Sequence, residues 1–175
     1  MFYMENQELD VIFAYYNTSK ASLLWYRDGI LNGRLVNPDY VGYTKKELEN
    51  AFLNHIDELE KGTIFNIFSS LEARFQIDYR VRVQKRLKDS LSRKFRDLYK
   101  KKSTKVSLEH DILSLWKEEF PYCKTIVSNY IGALNYRHWL AHGRYWKPKL
   151  GKKYDLLAVS TIANQIYANL PFHEG

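Results

Sequence analysis

Apolar residues recur every three to four positions along most of the chain, and no stretch alternates at the two-residue period of a strand bounded by hairpin turns. Val11, Ala14, Tyr15, Leu23, Leu24 and Tyr26 predict a first helix from about Gln7 toward Ile30, with Asn17-Thr18-Ser19 as a candidate bend. Asn32-Gly33 ends it, and an irregular connection runs past Pro38 to Tyr43. Thr44-Lys45-Lys46-Glu47 has the spacing of a capping box, in which the hydroxyl accepts from a free amide while the glutamate reaches back. That helix is expected to stop near Lys61-Gly62, and Thr63 to cap the next, whose stripe is Ile64, Ile67, Phe68, Leu71 and Phe75. Val83, Leu87, Leu91, Phe95 and Leu98 then predict one basic amphipathic helix with its charges on the outer side.

Ser107 to Phe120 reads as a short helix stopped before Pro121. The helix after it carries Ile126, Tyr130, Ile131 and Leu134 and is expected to break at Trp146-Lys147-Pro148. A last helix spans about Asp155 to Leu170. The sum is an all-α antiparallel helical bundle: an N-terminal helical extension over 1–43 and a bundle over 44–175.

A length of 175 residues suits one domain with a real core, and the aromatic content, led by 14 tyrosines, argues against disorder. The single cysteine, Cys123, excludes an internal disulfide and has no metal-site spacing. No apolar run approaches the length of a membrane span. The start, Met-Phe-Tyr-Met-Glu-Asn-Gln-Glu, lacks the basic and apolar regions of a signal peptide, so a soluble cytoplasmic protein is expected.

The net charge of +7 is unevenly placed. Twelve lysines or arginines between Arg80 and Lys105 face only Asp89 and Asp97, and five more follow from Arg144 to Lys153 without an acid. Such concentration points to a polyanion partner: RNA, DNA or an acidic protein.

Asn135-Tyr136-Arg137-His138-Trp139-Leu140-Ala141-His142-Gly143-Arg144 concentrates two arginines and two histidines at one place. An arginine supplies a fixed cation for phosphate, and a histidine moves protons near neutral pH. Metal binding is one reading, since His138 and His142 are four apart, but His-Trp-Leu-Ala-His lacks the glutamate of a metalloprotease helix and a third local ligand. A structural reading is another, with the histidines hydrogen-bonded in a core and Arg137 paired to an acid. A third is phosphoryl transfer on RNA. An arginine followed by a histidine at such spacing arises by chance about once in a chain of this composition. The weight therefore falls on the polar follower His138, the packed turn Trp139-Leu140-Ala141 and Gly143.

Those residues resemble the Arg-(Asn/Asp/His)-x3-His signature of the HEPN superfamily, the higher eukaryotes and prokaryotes nucleotide-binding domains. The resemblance places Arg137 at the family arginine, His138 at the polar follower and His142 at the family histidine. It covers Thr44 to about Leu170 and implies a four-to-five-helix core with the motif on a late helix. An acid on an earlier helix often completes such sites; Leu71-Glu72-Ala73-Arg74-Phe75 supplies Glu72, with Asp78 in reserve. The tyrosine that one toxin subgroup carries two residues after the histidine is absent, Arg144 standing there. That departure puts control by a nucleotidyltransferase partner in doubt.

On an ideal helix five residues turn through about 500°, leaving Arg137 and His142 about 140° apart. Either the helix is interrupted, or two copies assemble the site across a two-fold axis, as the resemblance implies for a homodimer with a shared cleft. The implied chemistry is metal-independent, cofactor-free cleavage of RNA. His142 would serve as general base or acid, Arg137 would hold the phosphate, His138 would orient it or share the proton transfer, and Glu72 would fix Arg137 or a histidine. Arg144, Lys147, Lys149, Lys152 and Lys153, interleaved with Tyr145 and Trp146, suit an RNA-gripping extension in which cations meet phosphates and rings stack on bases. For the two rings, core or interface packing is the equal alternative. A toxin-like or defence role with an inhibitory antitoxin-like partner follows by analogy. The alternative class is a non-catalytic helical module that binds nucleic acid or a partner protein through the same surface.

Overall fold

Forty consecutive residues, Lys45–Gln84, form a single helix about 60 Å long, against which most of the other helices pack. The computed structural model describes residues 6–173; the ends of the expected segments 1–43 and 44–175, residues 1–5 and 174–175, lie outside the described residues. Within the described residues six helices of the α type run in the order α1 (Leu9–Leu31), α2 (Lys45–Gln84), α3 (Ser90–Lys102), α4 (Ser114–Glu119), α5 (Lys124–Ala141) and α6 (Leu156–Asn169). No strand occurs among the described residues, and the fold is an all-α helical bundle. None of the described helices is long and apolar enough to cross a membrane.

The helix α2 opens as its sequence dictates: the Thr44 hydroxyl accepts from the Glu47 amide, and Glu47 accepts from the Thr44 amide at 2.8 Å. The expected stop at Lys61-Gly62 does not occur. Thr63 caps nothing; its hydroxyl donates to the Leu59 carbonyl at 2.8 Å, and Lys61 pairs with Asp57 and Glu58 one turn back. A glycine inside a helix costs only about 1 kcal/mol. Beyond it Ile67, Phe68, Leu71 and Phe75 are fully buried, each contributing about 1.5–3 kcal/mol. Packing decides in favour of continuity. Asn17-Thr18-Ser19 likewise leaves α1 unbroken.

The helix α1 runs antiparallel to the first half of α2, Tyr26 packing edge-on to Phe52 while the Tyr16 hydroxyl donates to Glu60 at 2.8 Å. Its Ile12 joins the central cluster. That cluster is built on aromatic contacts: Tyr130 of α5 stacks on Phe68 and Phe75 of α2, and Phe75 meets Trp116 of α4 edge-on. Val159, Ile162, Ala163 and Ile166 close it from α6.

The basic segment is not one helix with every charge outside. The helix α2 ends at Gln84, Arg86 takes a left-handed φ of 50°, and Asp89 caps α3 by accepting from the Ser92 amide at 3.0 Å. Arg82 points inward and is 1 % exposed. Its Nε donates to both oxygens of Asp78, one Nη to Asp89 and Ser92, and the other to the Pro171 carbonyl at 2.8 Å. Asp78 also accepts from the His173 amide at 2.8 Å. Burial pushes the Asp78 carboxyl up from the usual aspartate range, and the His173 amide and Arg82 oppose that push. Asp78 is therefore committed to the fold rather than held in reserve for the site.

The Ser107 hydroxyl caps the following segment by accepting from the His110 amide at 3.2 Å, and the first turn, Leu108–Leu113, is wide, with Ile112 donating to the Ser107 carbonyl five residues back. The helix α5 ends at Ala141, earlier than Trp146-Lys147-Pro148. Gly143 adopts a φ of +77°, and the Arg144 amide closes onto the Trp139 carbonyl at 3.3 Å. This is a Schellman turn, with the glycine at the position that needs a left-handed residue.

Arg82→Ala should cost about 3–5 kcal/mol of unfolding free energy, since it strands the buried Asp78 carboxylate. Denaturant titration measures this; a loss below about 1 kcal/mol would show the pair to be dispensable. Gly62→Ala should instead stabilise by about 0.5–1 kcal/mol, because Gly62 is exposed and nothing lies within 4 Å of the added methyl. A fall in thermal midpoint for that variant would contradict the account of α2.

Candidate functional site

The antiparallel packing of α2 on α5 proceeds in steps of seven residues, nearly two full helical turns, which keep one face in contact. On α5 and its end the positions are Tyr130, Arg137 and Arg144; on α2 they are Glu72, Phe65 and Glu58. Arg144 meets Glu58 at 2.7 Å, the Arg137 guanidinium lies over the Phe65 ring at 5.6 Å, and Arg137 Nη2 donates to Glu72 at 2.8 Å. Each arginine is thus held by a carboxylate of α2, with Phe65 between them.

Glu72, Arg137 and His138 line a common open groove of about 410 Å³, together with Ser107, Glu109 and Asn135. Arg137 is partly buried, its side chain 30 % exposed, and its Nε has no hydrogen-bond partner. Beneath this pair Tyr130 is fully buried and its hydroxyl also lacks a partner. Burial raises the Tyr130 phenol far above its usual range; the nearby Glu72 charge raises it further, and Arg137 acts the other way.

His142 does not line that groove. As the C-terminal cap of α5 it leaves regular helical geometry, with φ −101° and ψ 30°. Its ring packs on that of His138, centroids 4.1 Å apart, and both histidines are exposed. The segment Asn135–Arg144 is consequently no buried helix but a half-exposed one whose polar side chains reach solvent. His138 joins two neighbourhoods, the Glu72–Arg137 groove on one side and His142 on the other.

The residues expected to grip RNA are dispersed. Arg144 is tied to Glu58, and this pair borders a second groove of about 230 Å³ lined also by Lys61, Gly62, Phe65 and Leu140. Tyr145 is 84 % exposed and meets Trp146 edge-on. Trp146 is half-buried, its carbonyl accepting from Trp139 Nε1 at 2.6 Å and its ring centroid 6.1 Å from that of His138. Lys147 and Lys149 are exposed. Lys152 bonds Asn129 and lies over Tyr154, while Lys153 pairs with Asp155 at 3.3 Å. Trp146 is the one brought beside a histidine, His138, and Tyr145 packs on Trp146.

Sequence reasoning missed Glu58, Phe65, Ser107 and Glu109 as neighbours of the motif. The seven-residue spacing of Glu58, Phe65 and Glu72 is a signal that would have found two of them, once α2 is read through Gly62. No signal in the chain points to Ser107 and Glu109, which arrive through tertiary packing. Among the described residues no group of three or more His, Cys, Asp and Glu side chains could hold a metal ion. No family model, curated protein or solved structure matches the chain.

The hydrogen bonds from Arg144, and then from Lys61, hold the Glu58 carboxyl down at about 2, against an ordinary 4.5. A depressed folded value means that the contact contributes stability above about pH 4.5 and loses it as pH falls toward 2. Glu58 is half-exposed, so solvent screens the energetic effect. Carboxyl titration by NMR should show a Glu58 midpoint well below the other exposed glutamates, moving up in Arg144→Ala. An unshifted midpoint in the wild type would contradict the contact.

Proposed function

We propose that this protein is a HEPN-type endoribonuclease that cuts RNA without a metal or cofactor, acting as a toxin-like or defence RNA cutter. The observation that carries the reading is the exposed His138–His142 ring pair beside the Glu72-anchored guanidinium of Arg137. Transesterification of RNA needs one group to take a proton and another to return it. Two imidazoles in contact, one able to accept a proton and the other to donate one, fit that demand.

In the proposed reaction a histidine, His142 in the simplest assignment, takes the proton of a ribose 2′-hydroxyl. The oxygen attacks the adjoining phosphorus while the P–O5′ bond breaks. A protonated histidine, His138 or its counterpart in a second copy, supplies the proton to the departing 5′-oxygen. The products are a 2′,3′-cyclic phosphate and a 5′-hydroxyl, so atoms and protons balance without water. Arg137 stabilises the charge that builds on the non-bridging oxygens, and Glu72 orients Arg137. DNA lacks the nucleophile and is not a substrate. Tyr145, standing exposed beside Trp146, is suited to stack an unpaired base, with Lys147 and Lys149 meeting phosphates.

The exposure of His142 favours this reading over a purely binding module, for which a buried and hydrogen-bonded histidine would be expected. A homodimer belongs to the same proposal, because Arg137 faces α2 and His142 lies outside its groove. An isologous pairing would bring the arginine of one copy toward the histidine of the other. An inhibitory antitoxin-like protein would then protect the host by covering the exposed α5 end.

Wild-type protein incubated with single-stranded RNA in excess chelator should yield 2′,3′-cyclic phosphate ends, while Arg137→Ala and His142→Ala remain folded and inactive. Mixing those two variants tests the shared cleft. Random exchange leaves one intact site in each mixed dimer, so about a quarter of wild-type activity should return. Cleavage by His142→Ala at the wild-type rate would end the catalytic assignment; absence of any recovery on mixing would end the shared cleft.

A further inference from the structure

The helix α1 is apolar on two faces, and only one of them is covered. Ile12 and Tyr16 are buried toward the bundle. On the opposite side Val11, Tyr15 and Trp25 are 54 %, 66 % and 65 % exposed, and the small residues Ala14, Thr18, Ala21 and Ser22 between them are exposed as well. These positions step by three and four residues over about four turns, so they form one continuous stripe about 120° wide.

No charge interrupts the stripe. Between Asp10 and Arg27 the sole charged residue is Lys20, which turns inward and donates to the Tyr16 hydroxyl at 2.8 Å and to Glu60 at 3.4 Å. A surface helix ordinarily carries its charges on the side away from the core. The apolar surface also continues onto α6, where Leu157 is 78 % exposed beside a groove of about 540 Å³ that Phe13 of α1 also lines.

Three properties select a second copy of this chain as what covers the stripe. Its positions are symmetric about Thr18: Val11 mirrors Trp25, Ala14 mirrors Ser22 and Tyr15 mirrors Ala21. A two-fold contact between identical surfaces requires such a self-complementary patch. Antiparallel pairing about Thr18 sets Val11 near Trp25 of the other copy and lays each Tyr15 over the small Ala21 and Ser22, so large rings meet small side chains. The area is also sufficient. At two-thirds exposure Tyr15 and Trp25 together present about 300 Å², and the whole stripe on two copies comes to about 1,000–1,200 Å², the low end of a specific interface. Finally, a chain of net charge +7 repels its own copy over much of its surface, but not along this uncharged strip. An acidic partner would find no cation on it.

We infer that α1 is a dimerisation helix: two copies of the chain pair antiparallel through the Val11–Trp25 stripe, with the two-fold axis at Thr18. This contact is separate from the shared cleft proposed for RNA cleavage. Tyr16 meets Glu60 while Arg144 meets Glu58, and those two positions of α2 lie about 200° apart around the helix axis. The helix α1 and the end of α5 therefore flank α2 on opposite sides, and pairing through α1 leaves the α5 end of each copy facing outward. The contact stands whether or not RNA is cut.

Sedimentation equilibrium of the full chain, wild type beside Thr18→Arg and Tyr15→Ala, tests the pairing. Thr18→Arg brings two like charges together at the axis and should halve the mass of the assembly at micromolar concentration. Tyr15→Ala should raise the dissociation constant at least tenfold. Both positions are exposed, so circular dichroism should show unchanged helix content. Cross-linking gives an independent measurement: Thr18→Cys should form a disulfide between copies on mild oxidation, whereas Lys101→Cys, exposed on α3, should not. The native Cys123 is buried and does not compete. The proposal is overturned if the wild type is a monomer at that concentration, if Thr18→Arg sediments with the wild-type mass, or if Thr18→Cys links no faster than Lys101→Cys.

Discussion

The buried guanidinium of Arg82 is the constraint around which the α2–α3 end of the molecule is organised. A permanent charge inside a protein must be paired and fully hydrogen-bonded, because the cost of leaving it bare exceeds the stability of most domains. Asp78, Asp89, Ser92 and the Pro171 carbonyl meet that demand, and they come from α2, the start of α3 and the C-terminal tail. Asp89 serves twice, as partner of Arg82 and as cap of α3. Arg82 thereby ties the end of α2 to the start of α3 and to the tail, which returns over Trp116 with Phe172 at 5.3 Å from its ring.

The same helix carries the surface chemistry along its length. From Glu58 to Glu72 it faces α5 in seven-residue steps, holding Arg144 and Arg137 beside Phe65. Near Tyr79 to Arg86 it forms one wall of a groove against α3. A continuous helix of 40 residues can do this because its unbroken hydrogen bonding makes it a rigid spacer. Its continuity through Gly62 therefore matters as much as any residue at the site, since a bend there would put Glu58 and Glu72 out of register with α5.

Much of the fold was legible from local patterns. The capping box at Thr44, the stripe from Ile64 to Phe75 and the stop before Pro121 depend on near neighbours, and the structure agrees with each. The misreadings share one cause. Gly62 reads locally as an end and Arg82 as an outer charge, because local preference cannot register the packing that overrides the first or the partners that accommodate the second. The early end of α5 was present in the chain as Gly143, but a glycine announces a left-handed turn only when the carbonyls before it are free to accept. In the site, the pairing of Glu72 with Arg137 was anticipated among alternatives, whereas Asp78, the reserve acid, is consumed by the core.

The sequence by itself determined the all-α class, most helix starts, the aromatic core stripe and the unusual company of Arg137, His138 and His142. These depend on periodicity and on residues within a turn or two of each other. Only the tertiary structure decided which charges are spent on folding and which remain for chemistry. Arg82 and Arg137 are both arginines on helices with an acid nearby, and nothing local tells them apart. Burial does: one is enclosed with every partner supplied by the chain, the other lies in an open groove with a donor left over. That distinction arises from the meeting of distant segments, and no period along the chain encodes it.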